Sequence, residues 1–183
     1  MTSRGDDRAS AVCHVLVLAS LSAAVVTAQR PPVRSALLDH LEGRWVLHGT
    51  IADKQTTHDV IAEWVANHHY LRLHEVSREK TADGGPQYDA FIHIGWDEAT
   101  KRYPIIFLDN FWNIDPEAIG SGTAAENELR FVWKDATGGI GFTNDFLYDP
   151  KTDSWQWIMD NVTNGTHRPF GRVTLTRSRD KSQ

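Results

Sequence analysis

Between Arg44 and Arg177, apolar and aromatic residues recur at every second position in short runs, and each run ends at a cluster of Gly, Asp, Asn or Pro. A period of two marks a strand with one buried face, and runs of about eight to ten residues between turn signals mark an all-β domain. The runs predict strands over Arg44 to Ile51, Thr57 to Ala66, Tyr70 to Ser77, Gln87 to Trp96, Tyr103 to Asp109, Gly120 to Thr123, Glu128 to Lys134, Gly139 to Tyr148, Ser154 to Val162 and Arg168 to Arg177. Strands in this number fit a closed meander better than an open sheet, whose long edges would stand exposed. Ahead of them, Val33, Leu37, Leu38 and Leu41 recur at helical spacing and predict a short helix that lids or plugs the domain. The expected fold class is all-β, an antiparallel up-and-down β-barrel of about ten strands with a short N-terminal helix.

The connections carry their own signals. Trp96-Asp97-Glu98-Ala99-Thr100-Lys101-Arg102-Tyr103 and Tyr148-Asp149-Pro150-Lys151-Thr152-Asp153-Ser154-Trp155 both read aromatic-Asp-x-x-Thr-x-x-aromatic. The Asp is placed to accept backbone N–H groups across the turn, and the flanking rings are placed to pair between strands. Asp83-Gly84-Gly85-Pro86 and Asp135-Ala136-Thr137-Gly138-Gly139 predict two further hairpin loops. Asn110 to Ile119 lacks strand alternation but holds Phe111, Trp112 and Pro116. It reads as an aromatic loop at a barrel mouth, packed on the rim or gating a cavity.

The N-terminus changes the expected compartment. Arg4 and Arg8 precede an apolar stretch from Ala11 to Val26, and Val26-Thr27-Ala28 precedes Gln29. That order matches a signal peptide over residues 1–28, and the stretch is too short and poorly flanked for a permanent span. The expected organisation is a signal peptide over 1–28, a linker and short helix over 29–42, a barrel over 43–178 and a tail over 179–183. Cleavage would remove Cys13, the one cysteine, so the fold would use no disulfide in the secreted or periplasmic setting expected for it. The net charge is −5 without a basic cluster, which argues against nucleic acid and against insertion into a membrane after cleavage.

The first strand enters through Leu41-Glu42-Gly43-Arg44-Trp45, and its Gly-x-Trp resembles the opening of calycin-type barrels, the lipocalins, fatty-acid-binding proteins and nitrobindin-like proteins. Gly95-Trp96-Asp97, the strand at Tyr103, Gly120-Ser121-Gly122 and the closing strand from Phe170 to Arg177 resemble bacterial lipocalin-like proteins of unknown function. The resemblance implies a barrel of eight to ten strands around an interior pocket. The chain lacks the disulfide and C-terminal helix usual in lipocalins. Nitrobindin-like proteins bind haem through a late His, and His167 lies in the corresponding region but in a Thr163-Asn164-Gly165-Thr166 turn.

Parity then nominates a site. Phe131 and Trp133 share one face, as do Trp155, Trp157 and Met159 with Asn161, and Phe142 and Phe146 share theirs with Asn144. Aromatic rings with an amide among them form the pattern of an apolar pocket with a few orienting polar groups. The expected ligand-binding residues are Trp64, Phe131, Trp133, Phe142 and Trp157 for contact area, with Arg72, His74 and Asn144 orienting polar groups. The expected function is non-covalent binding of a small apolar or aromatic molecule, with no cofactor called for. One alternative is a barrel enzyme using inward carboxylate or His groups, drawn from Glu63, Glu75, Asp109, Asp145 and His74. Another is a structural, envelope-associated module whose barrel is packed solid by Trp. Haem or metal held by converging residues among His48, His58, His68, His69, His74 and His93 is a further alternative, although no metal-ligand spacing is present. Asn161-Val162-Thr163 and Asn164-Gly165-Thr166 match glycosylation sequons.

Overall fold

A computed structural model of the protein describes residues 36–111 and 118–179. The expected signal peptide, the linker up to residue 35, Trp112 and Pro116 of the aromatic loop, and the tail from residue 180 lie outside the described residues. A six-residue helix, α1 (Ala36–Leu41), leads into ten strands: β1 (Gly43–Ile51), β2 (Lys54–Val65), β3 (Tyr70–Ser77), β4 (Asp89–Gly95), β5 (Tyr103–Asp109), β6 (Ile119–Ala125), β7 (Glu128–Lys134), β8 (Ile140–Asp149), β9 (Ser154–Thr163) and β10 (Thr166–Arg177). Each strand pairs antiparallel with its sequence neighbours, and β1 pairs with β10, from Trp45 opposite Arg177 to Ile51 opposite Gly171. The sheet is a closed up-and-down barrel without a free edge.

β2 and β10 start two or three residues earlier than the alternation predicts, because their turns are tighter. Ala52 and Asp53 both take positive φ (48° and 63°), as do Asn164 and Gly165 (52° and 73°). Two residues with positive φ make the turn whose twist matches that of the flanking strands, so β2 begins at Lys54 and β10 at Thr166. His167 therefore lies on β10, not in a turn. The paired aromatic-Asp-Thr-aromatic loops share one geometry. Asp97 accepts Ala99 N–H at 3.0 Å and the Thr100 hydroxyl at 2.6 Å, while Asp149 accepts Lys151 N–H at 2.9 Å and the Thr152 hydroxyl at 2.8 Å. Their flanking rings sit 4.8 Å apart in Trp96–Tyr103 and 4.9 Å apart in Tyr148–Trp155.

One end of the barrel is filled. Leu37, Leu38 and Leu41 of α1 join Trp45, Leu47, Leu71, Trp155 and Leu175 in the buried core. Arg177 locks this plug to the last strand. Its guanidinium donates to the Glu42 carbonyl (2.6 Å), the His40 carbonyl (3.0 Å) and Asp153 (2.8 Å), and lies 3.8 Å above the Trp45 ring. Trp45 donates its indole N–H to the Leu41 carbonyl (2.7 Å), so the helix C-terminus finds partners in side chains of β1 and β10. Farther along, small residues face large ones. A Cβ on Gly122 would lie 2.4 Å from the Phe131 ring and one on Gly120 2.5 Å from the Trp133 ring.

Arg177→Ala is expected to cost on the order of 2 kcal/mol, because charged hydrogen bonds and a ring contact disappear together. Arg177→Lys should restore only part of it, since an ammonium cannot fork between carbonyl and carboxylate. Denaturant melts of the two variants check this, and equal stability of wild type and Arg177→Ala would contradict it.

Candidate functional site

The end of the barrel away from α1 is hollow. A cavity of about 1060 Å³ lies among the inward side chains near the β1–β2, β3–β4, β7–β8 and β9–β10 turns. Its apolar wall includes Phe107, Trp133, Phe142, Trp157, Met159 and Phe170. These rings brace one another edge to face, with centroids 5.6 Å apart in Phe107–Trp133, 5.7 Å in Trp133–Phe142 and 5.7 Å in Phe142–Phe170. This arrangement follows from strand parity. Trp133 on β7, Phe142 on β8 and Trp157 on β9 all fall at inward positions, and β6 presents Gly120 rather than a side chain opposite Trp133.

The facing wall is polar. Glu75 on β3 and His58 on β2 are 3% and 4% exposed, at strand positions whose neighbours two residues away are Leu73 and Val60. The Glu75 carboxylate lies 2.5 Å from His58 Nδ1, and His58 Nε2 lies 2.6 Å from the Thr56 hydroxyl. The Thr56 hydroxyl also reaches Glu79 at 3.2 Å, and Glu79 accepts Thr57 N–H at 3.0 Å. Glu75, His58, Thr56 and Glu79 thus form an unbroken hydrogen-bonded chain along the cavity wall, and all four line the cavity. Tyr88 stacks on His58 at 5.5 Å. Burial pushes the Tyr88 phenol well above its ordinary range, and the charges of Glu75 and Asp109 push the same way, so the phenol keeps its proton. Burial of Glu79 works to raise its carboxyl, but the amide and hydroxyl bonds it accepts, with His58 nearby, outweigh that and hold it below the usual carboxylate range.

A second polar feature sits among the rings. Asn144 on β8 is fully buried, and its Oδ1 accepts the Trp157 indole N–H. An indole is a donor only, so this contact fixes which way the amide points. Asn144 Nδ2 is left without a hydrogen-bond partner.

The expected site residues divide into three groups. Trp133, Phe142, Asn144 and Trp157 line the cavity together. Phe131 is fully buried in the core, 6.3 Å from Trp133 and 5.8 Å from Phe146, and does not reach the cavity; Trp64 stands at the plugged end, donating its indole N–H to Asp39 at 3.0 Å. Arg72 and His74 face outwards, because Leu71 and Leu73 take the inward positions of β3. Arg72 pairs with Glu63, and His74 pairs with Asp89 at 2.9 Å and stacks on Phe91 at 4.3 Å. The expectation that Arg72 and His74 project into the interior is therefore corrected by β3 parity. His58, Thr56, Glu79, Tyr88, Phe107 and Phe170 are cavity residues absent from that expectation, although His58 and Glu75 are ionisable residues at inward positions of β2 and β3, a signal readable in the sequence. Among the described residues, no three His, Cys, Asp or Glu side chains gather closely enough to hold a metal ion.

No protein-family model matches the chain, and no curated protein matches it.

His58→Leu is expected to destabilise the fold by about 3–5 kcal/mol, because it strands a buried carboxylate, and Glu75→Leu should also destabilise it. The double variant, with both polar groups replaced, should recover much of that loss. Thermal or denaturant melts of the cycle provide the check, and additive losses would contradict the pairing.

Proposed function

We propose that the protein binds a small, largely apolar or aromatic molecule inside the barrel. The carrying observation is a cavity of about 1060 Å³, at the top of the ~300–1,000 Å³ range of small-molecule sites, walled by braced rings on one side and by a few polar groups on the other. A barrel packed solid by its Trp residues would have no such space. The rigid walls favour binding because little side-chain freedom is lost when a ligand enters. Burying ~400 Å² of apolar ligand surface would gain about 10 kcal/mol, and association would cost at least about 4, leaving a Kd of tens of micromolar. Asn144 Nδ2, a buried donor without a partner, selects for a ligand with a hydrogen-bond acceptor on its apolar body.

The calycin-like resemblance of the Gly43-Arg44-Trp45 entry accords with this reading, as does the up-and-down topology. The charged and apolar order of residues 1–28 supports a secreted or periplasmic setting. Fold alone does not assign a ligand, so the reading rests on the cavity wall.

The fluorescent apolar probe 1-aminoanthracene should bind with a Kd of about 10–100 µM, raising its own emission and quenching the Trp133 and Trp157 signal. Trp133→Ala should weaken binding about tenfold, the loss of one large ring contact. Unchanged probe emission, or equal affinity in wild type and variant, would contradict the proposal.

A further inference from the structure

Two residues on opposite sides of the cavity, Glu75 and Asn144, each carry a polar atom that the protein itself leaves unused. Glu75 uses one oxygen for His58, and its other oxygen has no hydrogen-bond partner among the described residues, although the side chain is 3% exposed and lines the cavity. Asn144 Nδ2 is a donor without a partner on β8, far around the barrel from β3. A buried carboxylate and a buried donor around a largely apolar space are unfavourable for packing alone, since each unmet group costs stability. They are the two groups needed to move a proton off carbon: a base for the C–H and a donor for the oxygen that gains charge.

We propose that the cavity catalyses proton transfer at carbon in a small aromatic or apolar ketone, with Glu75 as the base and Asn144 as the donor to the carbonyl oxygen. This rests on the binding reading above and names its substrate class. Glu75 takes a proton from the carbon beside the carbonyl. The C–H bond breaks, an O–H bond forms on the carboxyl, the C–H electron pair becomes the C=C bond of an enolate, and the carbonyl π pair moves to oxygen, against Asn144 Nδ2. Return of the proton to the same carbon exchanges or epimerises it. In a β,γ-unsaturated ketone, return to the third carbon shifts the double bond into conjugation with the carbonyl. Atoms and electrons balance without an oxidant, reductant or cofactor. His58 is a positioning residue: its Nδ1 contact fixes the Glu75 carboxylate, and the chain through Thr56 to Glu79 gives the proton a path along the wall. Tyr88, a protonated phenol stacked on His58, supplies a second donor on the same side.

The test uses 2-tetralone, a benzo-fused ketone whose C1 hydrogens are acidic because they are both benzylic and beside the carbonyl, and the full-length protein. Displacement of 1-aminoanthracene reports binding, and NMR in D2O reports deuterium uptake at C1. The wild type should displace the probe and exchange C1 faster than buffer. Glu75→Gln should keep probe binding and lose about a hundredfold in exchange, and Glu75→Asp, which keeps the charge but shortens the reach, should fall between. Displacement without exchange above buffer, or exchange undiminished in Glu75→Gln, overturns the proposal and leaves the binding reading intact. Probe binding that 2-tetralone does not displace overturns the ketone site. Failure of 1-aminoanthracene itself to bind removes the binding reading and this one together. Should Glu75→Gln fail to fold, Glu75→Asp carries the same test.

Discussion

Ten strands enclose more room than their own inward side chains fill. An eight-stranded barrel is just wide enough to be packed by its interior residues, and each added strand widens it. In this protein the surplus is met differently at the two ends. At one end, α1 inserts Leu37, Leu38 and Leu41 among Trp45, Trp155 and Leu175, and Arg177 fastens the helix to the closing strand. At the other, no element among the described residues fills the space, and the inward residues of β7, β8 and β9 become a cavity wall instead of a core. Phe131 and Phe146, fully buried, pack from the core against the cavity residues Trp133 and Trp157.

Both ends leave a buried polar atom unmet. In the plugged half, the Trp45 indole donates to the Leu41 carbonyl and the Trp64 indole to Asp39, while the buried Trp155 indole N–H has no hydrogen-bond partner. Around the cavity, Glu75 and Asn144 each spend one atom on a neighbour and keep another free. Burial without full satisfaction costs stability, and such groups persist where something other than packing uses them. The hydrogen-bonded chain from Glu75 to Glu79 holds one side rigid, and the braced rings hold the other, so the space between them exists before a ligand enters.

Much of the architecture was legible because alternation of period two reports burial directly. The ten strands, the short plugging helix and the matched Asp-Thr turns all follow from local patterns, and the misplaced starts of β2 and β10 trace to turns of two positive-φ residues that alternation does not encode. The aromatic wall was equally readable from the faces of Trp133, Phe142 and Trp157. The polar wall was readable only in part: inward parity puts His58 and Glu75 on it, while Arg72 and His74 fall at the alternate, outward positions. Leu71 and Leu73 already occupy the inward face of β3, which sends Arg72 and His74 out and brings Glu75 in. The contact between His58 and Glu75 depends on the register of β2 against β3, where Val60 pairs with Glu75 and His58 with Ser77. No local pattern sets that diagonal. Trp64 and Phe131 share inward parity with the cavity residues but sit at other depths, and parity gives a face without giving a depth.

The most direct test of a barrel plugged at one end and receptive at the other is a crystal structure of the protein soaked with 4-iodophenol. The iodine gives an anomalous signal that locates the ring without ambiguity. The account expects a single buried peak within contact distance of Trp133, Phe142 and Trp157, with no peak among α1, Trp45 and Trp155. Rings collapsed into a closed core with no interior peak, or iodine bound only on the outer surface, would contradict it.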